Sequence, residues 1–241
     1  MENVLLEVKD LALSYKTFKL SRITFSLKSG DILGLIGRSG AGKSTVIRAL
    51  LGIKKPDMGN IVLTGEGRML QLNEHVGYSP QQNALYPYLT IGENISVFGR
   101  LYGMRSHEIE ERMIPLLQRL GLKEHLRKRI NELSGGMQKR ADLAVALIHK
   151  PNLIILDEPF NGIDISLQKF IWDLLKELAS IGAIIIVSSH MLTDIQRCCN
   201  QFGLIENNTY YNTEQVRNAI IESREQSLES FIERLFSQVK K

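Results

Sequence analysis

The segment "ILGLIGRSGAGKSTVIRALLG", Ile32 to Gly52, constrains the fold of this chain more than any other. Leu33, Leu35 and Ile36 sit in an apolar run that predicts a buried strand, and Val46, Ile47, Leu50 and Leu51 recur at helical spacing. Between them, Gly37-x-x-x-x-Gly42-Lys43-Ser44 fits the phosphate-binding loop pattern. Its glycines let the backbone curl until successive N–H groups point inward, and the following helix N-terminus adds positive partial charge. Lys43 is placed to reach terminal phosphates and the Ser44 hydroxyl to ligate Mg²⁺. An ordinary strand–turn–helix link does not need all these positions fixed at once. The segment therefore implies a nucleoside triphosphate site built from Gly37, Arg38, Ser39, Gly40, Ala41, Gly42, Lys43, Ser44 and Thr45.

Two more apolar runs behave like the first. "LIIL" (Leu153 to Leu156) ends in Asp157-Glu158-Pro159, and "AIIIV" (Ala183 to Val187) ends in Ser188-Ser189-His190. Continuous Ile/Val/Leu runs flanked by helical segments predict strands of a parallel sheet buried on both faces. Ligands in such sheets sit beyond the carboxyl ends of the strands. Alone, an acidic pair before proline marks a helix start, and a single histidine is usually structural. Three such strand ends in one chain point to a shared pocket. In it, Asp157 would hold a Mg²⁺ shell, Glu158 would orient and polarise water, and His190 would contact a γ-phosphate and sense its departure.

The bulk properties bound the remaining possibilities. With 241 residues, 44% of them hydrophobic, the chain accommodates one α/β domain with an inserted subdomain. A net charge of +4 is too small to argue for a nucleic-acid partner, and none is expected. The one dense basic stretch, "KEHLRKRIN" (Lys123 to Asn131), reads as a solvated helix face. Cys198 and Cys199 are adjacent, a poor disulfide or metal framework, and are expected in buried helix packing and a reducing compartment. The start, "MENVLLEVKD", carries charges on both sides of a short apolar patch, unlike a signal peptide. The longest apolar runs are far too short to span a bilayer, so work at a membrane would go through a partner.

A second phosphate-cradling arrangement lies between the loop and the acidic pair: "LSGGMQKR", Leu133 to Arg140. At this point the chain resembles, over nearly its whole length, the nucleotide-binding subunit of an ATP-binding cassette (ABC) transporter. The resemblance implies that Ser134, Gly135, Gly136 and Met137 form a signature acting in trans on ATP held by a second subunit. It further implies that Tyr15 in "LALSYK" stacks on adenine and that Asp164 in "NGID" links the two subunits' sites. Gln81 in "GYSPQQ", with Gln82 beside it, would contact Mg²⁺ and relay to a membrane partner. His190 matches the switch histidine. Catalysis then falls to Glu158, His190 and Lys43, and metal binding to Ser44, Gln81 and Asp157. Ile163 replaces a more usual leucine, and Met137 stands where many members have glutamine.

The same resemblance implies a P-loop NTPase core with a parallel central sheet, an antiparallel N-terminal β part and an inserted helical subdomain. The expected boundaries are 1–82 and 149–206 for the core, 83–148 for the helical insert and 207–241 for a helical tail. In the tail, Leu228, Phe231, Ile232 and Leu235 have the spacing of an amphipathic helix docked on the core. A homodimer around two MgATP is implied, driving a separate permease from the cytoplasmic face. "ALYPYLTIGENI" and "SLESFIERLF" resemble the exporter branch. A soluble ABC ATPase in cofactor assembly is the alternative. A nucleotide kinase or GTPase shares only the phosphate loop and leaves "LSGGM" and His190 unexplained.

Overall fold

The structure, a computed structural model, describes residues 3–15, 18–189, 192–223, 225 and 228–237. In chain order the first elements are β1 (Val4–Tyr15), β2 (Phe18–Lys28), β3 (Ile32–Gly37), α1 (Lys43–Leu50), β4 (Met58–Gly65) and β5 (Arg68–Leu70). Then come α2 (Leu72–His75), β6 (Val76–Ser79), α3 (Ile91–Leu101), α4 (Ser106–Arg119), α5 (Gly135–Leu147) and β7 (Leu153–Asp157). The chain continues through α6 (Ile165–Ser180), β8 (Ile184–Ser189), α7 (Leu192–Cys198), β9 (Gln201–Glu206) and β10 (Thr209–Tyr211). It closes with α8 (Thr213–Ser223) and α9 (Leu228–Ser237).

Among the described residues, ten strands join one sheet in the order β5-β4-β1-β2-β10-β9-β3-β8-β7-β6. From β9 to β6 the pairings are parallel, and β1, β2, β4 and β5 pair antiparallel. The parallel strands are buried on both faces because alternate side chains feed two different cores. Ile36 on β3, Ile154 and Leu156 on β7, and Ile185 and Val187 on β8 join the cluster under α5 and α6. Their neighbours Leu33 and Leu35, Leu153 and Ile155, and Ile184 and Ile186 face a second cluster with α1 and the antiparallel strands. Continuous apolar runs are what a strand with two buried faces requires.

Between β6 and β7 lie α3, α4 and α5, with two short 3-10 turns between α4 and α5. Thr90 and Glu93 start α3 with a reciprocal capping box, at 3.1 Å and 2.7 Å. The basic stretch 123–131 is largely exposed, but it forms the 3-10 turns Lys123–His125 and Ile130–Glu132 and not a helix face. Gly121, at φ 67°, breaks the helical path just before it.

The segment 207–241 opens with a strand and is not helical throughout. Asn207 and Asn208 adopt φ 47° and 63°, the paired left-handed conformation of a tight hairpin turn, so β10 folds back on β9. Helix α9 then buries Leu228, Phe231 and Ile232 in the core cluster shared with α7. The Leu235 side chain lies outside the described residues. Cys199 is buried and Cys198 partly so, at the end of α7.

Candidate functional site

Strand β3 ends at Gly37, where an added Cβ would meet the Ile205 carbonyl oxygen at 2.8 Å. Only glycine lets β3 and β9 stay this close as the chain turns out of the sheet. Gly40 and Gly42 follow at φ 82° and 110°, and Gly42 caps α1 without any side-chain hydrogen bond. The first N–H groups of α1 therefore remain available to an anionic ligand. Ala41 packs its methyl against the apolar cluster and donates its N–H to Arg38 O at 3.1 Å.

The Lys43 side chain turns back across this loop. Its Nζ donates to Gly37 O at 2.7 Å and lies 3.1 Å from Glu158 Oε1. Ser44 Oγ donates to Asp157 Oδ2 at 3.1 Å, and Ser188 Oγ donates to Asp157 Oδ1 at 2.5 Å. Ser188 also receives the Glu158 N–H on its Oγ at 2.9 Å and on its carbonyl oxygen at 3.1 Å. Glu158 itself has φ 46°, a left-handed conformation that costs about 1–2 kcal/mol for a residue with a Cβ. The two bonds to Ser188 hold that kink and aim the carboxylate toward Lys43. Burial, then the nearby Asp157 carboxylate, pushes the Tyr78 phenol beneath the site up to about 12.

Gly37, Gly42, Lys43, Ser44, Asp157 and Glu158 line one cavity of about 770 Å³, together with Arg38, Ser39, Gly40, Thr45, Gln81, Asn161 and Leu192. The structure thus brings together the glycine loop, Gln81, Asp157 and Glu158. Gln82 is exposed and does not line the cavity. Ser134, Gly135, Gly136 and Met137 also lie off it, and so do Asp164 and Tyr15. Ser134 caps α5, accepting the Met137 N–H at 3.4 Å, and Gly135 is exposed at that helix start. Asp164 caps α6 through the Leu167 N–H at 2.9 Å, beside Ile165, which is 83% exposed. Tyr15 is exposed at the end of β1. His190 lies outside the described residues. Sequence reasoning missed Asn161 and Leu192 on the cavity wall, and Ser188, which bonds to Asp157 and Glu158. The strand end "SSH" drew attention to His190, and a serine orienting two acidic residues on a neighbouring strand has no signature along the chain.

The donor set suits a hard divalent cation. Ser44 and Asp157 offer a hydroxyl and a carboxylate oxygen side by side, and Mg²⁺ is commonly held by such a pair plus substrate phosphates. Among the described residues no three His, Cys, Asp or Glu side chains cluster as a metal site, and Mg²⁺ ordinarily fills the rest of its shell with water and substrate phosphate oxygens.

The fold and its loop are those of the P-loop α/β class. A family profile described as "ABC transporter" matches residues 20–161. The Nod factor export ATP-binding protein I of Sinorhizobium fredii is 38% identical over 208 residues, 85% of this chain and 61% of that protein. The linearmycin resistance ATP-binding protein LnrL of Bacillus subtilis is 38% identical over 187 residues, 76% of this chain and 60% of that protein. A solved structure described as the ATP binding subunit of an ABC transporter superposes with a TM-score of 0.83, at 31% identity, covering 96% of this chain and 99% of its own. The chain belongs to the ABC transporter family. The matched region spans about three fifths of those two curated relatives, 61% and 60%. Among the described residues no helix is long and apolar enough to cross a membrane.

Proposed function

We propose that this chain is the ATP-hydrolysing subunit of an ABC transporter of the export type, working with separate membrane subunits. The carrying observation is Lys43 held between the Gly37 carbonyl and Glu158, with Ser44 and Asp157 beside it in one cavity. The names of the relatives, one for export and one for resistance, support the direction. On this reading residues 83–148 form a helical unit inserted into a core of 1–82 and 149–206, with 207–241 appended. The chain works on the cytoplasmic face, bound to its permease.

ATP enters with its phosphates on the amides of Gly40, Gly42, Lys43 and Ser44, and Tyr15 stacks on the adenine. Lys43 exchanges Glu158 for phosphate oxygen. Ser44, Asp157 and Gln81 would hold Mg²⁺, which when bound neutralises charge on the β- and γ-phosphates. Glu158, released from Lys43, accepts a proton from the attacking water, and His190 contacts the γ-phosphate. The start of α5, Ser134 to Met137, with Ser134 and Gly135 exposed, closes the site of a second copy, and Asp164 connects the two.

Mixing two inactive variants tests the composite site. Ser134→Arg and Lys43→Ala each leave two damaged sites in a homodimer, whereas their heterodimer holds one intact site. Hydrolysis recovered on mixing is the expected result. Substantial Ser134→Arg activity in a preparation shown by light scattering to be monomeric would remove the signature from the active site.

A further inference from the structure

Helix α5 does more than present Ser134. From one face it grips both sides of the loop that carries Gln81. Before Gln81, Ser79 Oγ donates to Asp142 Oδ2 at 2.5 Å and accepts from Lys139 Nζ at 2.8 Å. Lys139 also lies 3.5 Å from Pro80 O and 3.6 Å from Asp142 Oδ2. After Gln81, Asn83 Nδ2 donates to Gln138 Oε1 at 3.0 Å. Gln138 is itself tied to Ile130 O at 3.1 Å and Leu133 O at 3.2 Å, just ahead of Ser134.

The group is buried: Ser79 is 0% exposed, Asp142 3%, and the Lys139 side chain 11%. Burial pushes the Asp142 carboxyl up and the Lys139 ammonium down, and each charge opposes the other's shift. A buried ion pair is a poor way to gain stability compared with apolar packing, but it specifies geometry. Here the geometry it specifies is that of a loop whose middle residue, Gln81, is exposed into the nucleotide cavity.

We infer that Lys139 and Asp142, closed through Ser79, are positioning residues that hold Gln81 at the nucleotide cavity and lock it to the signature helix. The inference rests on the role proposed for Gln81.

A double-mutant cycle on the full chain separates this role from general packing. Asp142→Asn keeps the size and loses the charge; it should lower kcat about tenfold with ATP KM within about twofold, the scale for residues that orient a functional group. In a Gln81→Ala background the same substitution should cost less than about twofold, because nothing remains to be positioned. Lys139→Gln should repeat the pattern and serves if Asp142→Asn fails to fold. An equal loss in both backgrounds overturns the inference, since it would reflect packing of α5 alone. So does an Asp142→Asn enzyme of wild-type turnover when Gln81→Ala is slow. A Gln81→Ala enzyme of wild-type turnover instead strikes down the glutamine assignment itself, and the inference with it.

Discussion

Lys43 Nζ lies 3.1 Å from Glu158 Oε1, and the two side chains are only 8% and 12% exposed. The cation that would bind phosphate and the carboxylate that would activate water neutralise each other while no phosphate is present. On the proposed mechanism, separating them would cost desolvation that an incoming phosphate offsets, and Glu158 would act as a base only once a triphosphate has replaced it on Lys43.

Glu158→Gln should therefore change binding and chemistry in opposite directions. Turnover should fall by about 10²–10⁴-fold, the usual range for a lost general base. Nucleotide should bind more tightly, because the neutral amide competes less well for Lys43. Lys43→Ala should weaken ATP binding by about 1.5–3 kcal/mol, the range for a hydrogen bond to a charged group. Equilibrium titration and single-turnover hydrolysis on the same preparations measure both effects, and unchanged turnover in Glu158→Gln removes it from the mechanism.

Ser188→Ala deletes the hydroxyl that donates to Asp157 Oδ1 and accepts the Glu158 N–H. The loss should lower stability by about 1.5–3 kcal/mol, read as a shift in denaturant midpoint. It should also raise the Mg²⁺ concentration needed for half-maximal hydrolysis, because Asp157 loses one of its two restraints. Ser188→Thr, which keeps the hydroxyl, should recover part of both effects. Normal Mg²⁺ dependence in Ser188→Ala would leave Ser188 a purely structural residue.

His149 makes stability depend on pH. Its Nε2 is 3.2 Å from Val76 O, and since a carbonyl only accepts, Nε2 carries the hydrogen. Its buried Nδ1 has no partner among the described residues, and Tyr102 stacks on the ring at 3.7 Å. Burial lowers its pKa from 6.5 to about 4. The unfolded chain takes up a proton below pH 6.5 that the folded chain resists until about pH 4, so stability is full above that window and falls as pH drops through it. The contribution lost by pH 5 is about 2 kcal/mol. The stability difference between the parent and His149→Gln, followed by urea denaturation from pH 7 to pH 5, should narrow by that amount. A difference that stays constant contradicts the assignment.

Tyr15→Ala should weaken ATP binding by about 1–3 kcal/mol, the range for one base on an aromatic side chain. The side chain is 59% exposed and spends little packing energy on the fold, so the melting temperature should hardly move. If affinity is unchanged, Tyr15 is a surface residue and adenine is held elsewhere.

Local chemistry was legible along the chain because the physics that places it is local. Glycines at Gly37, Gly40 and Gly42 followed by Lys43 and Ser44 specify a turn and a helix start whatever surrounds them. The apolar runs ending at Asp157 and Ser189 suggested strands buried on both faces of a parallel sheet, and the two clusters they feed bear that out. The basic stretch 123–131 misled because charge reports exposure and not backbone conformation, and β10 was hidden because three residues carry too little periodicity to register. Other relationships exist only across elements. Ser188 meets Asp157 and Glu158 through the register of β7 against β8, in which Asp157 pairs with Ser188. Ser79 meets Lys139 and Asp142 sixty or more positions on, because α5 packs over the end of β6. Sequence determines which groups are available and which turns can carry them. Only tertiary packing brings a serine on one strand to a carboxylate on another, because hydrogen bonds act over about 3 Å whatever the separation along the chain.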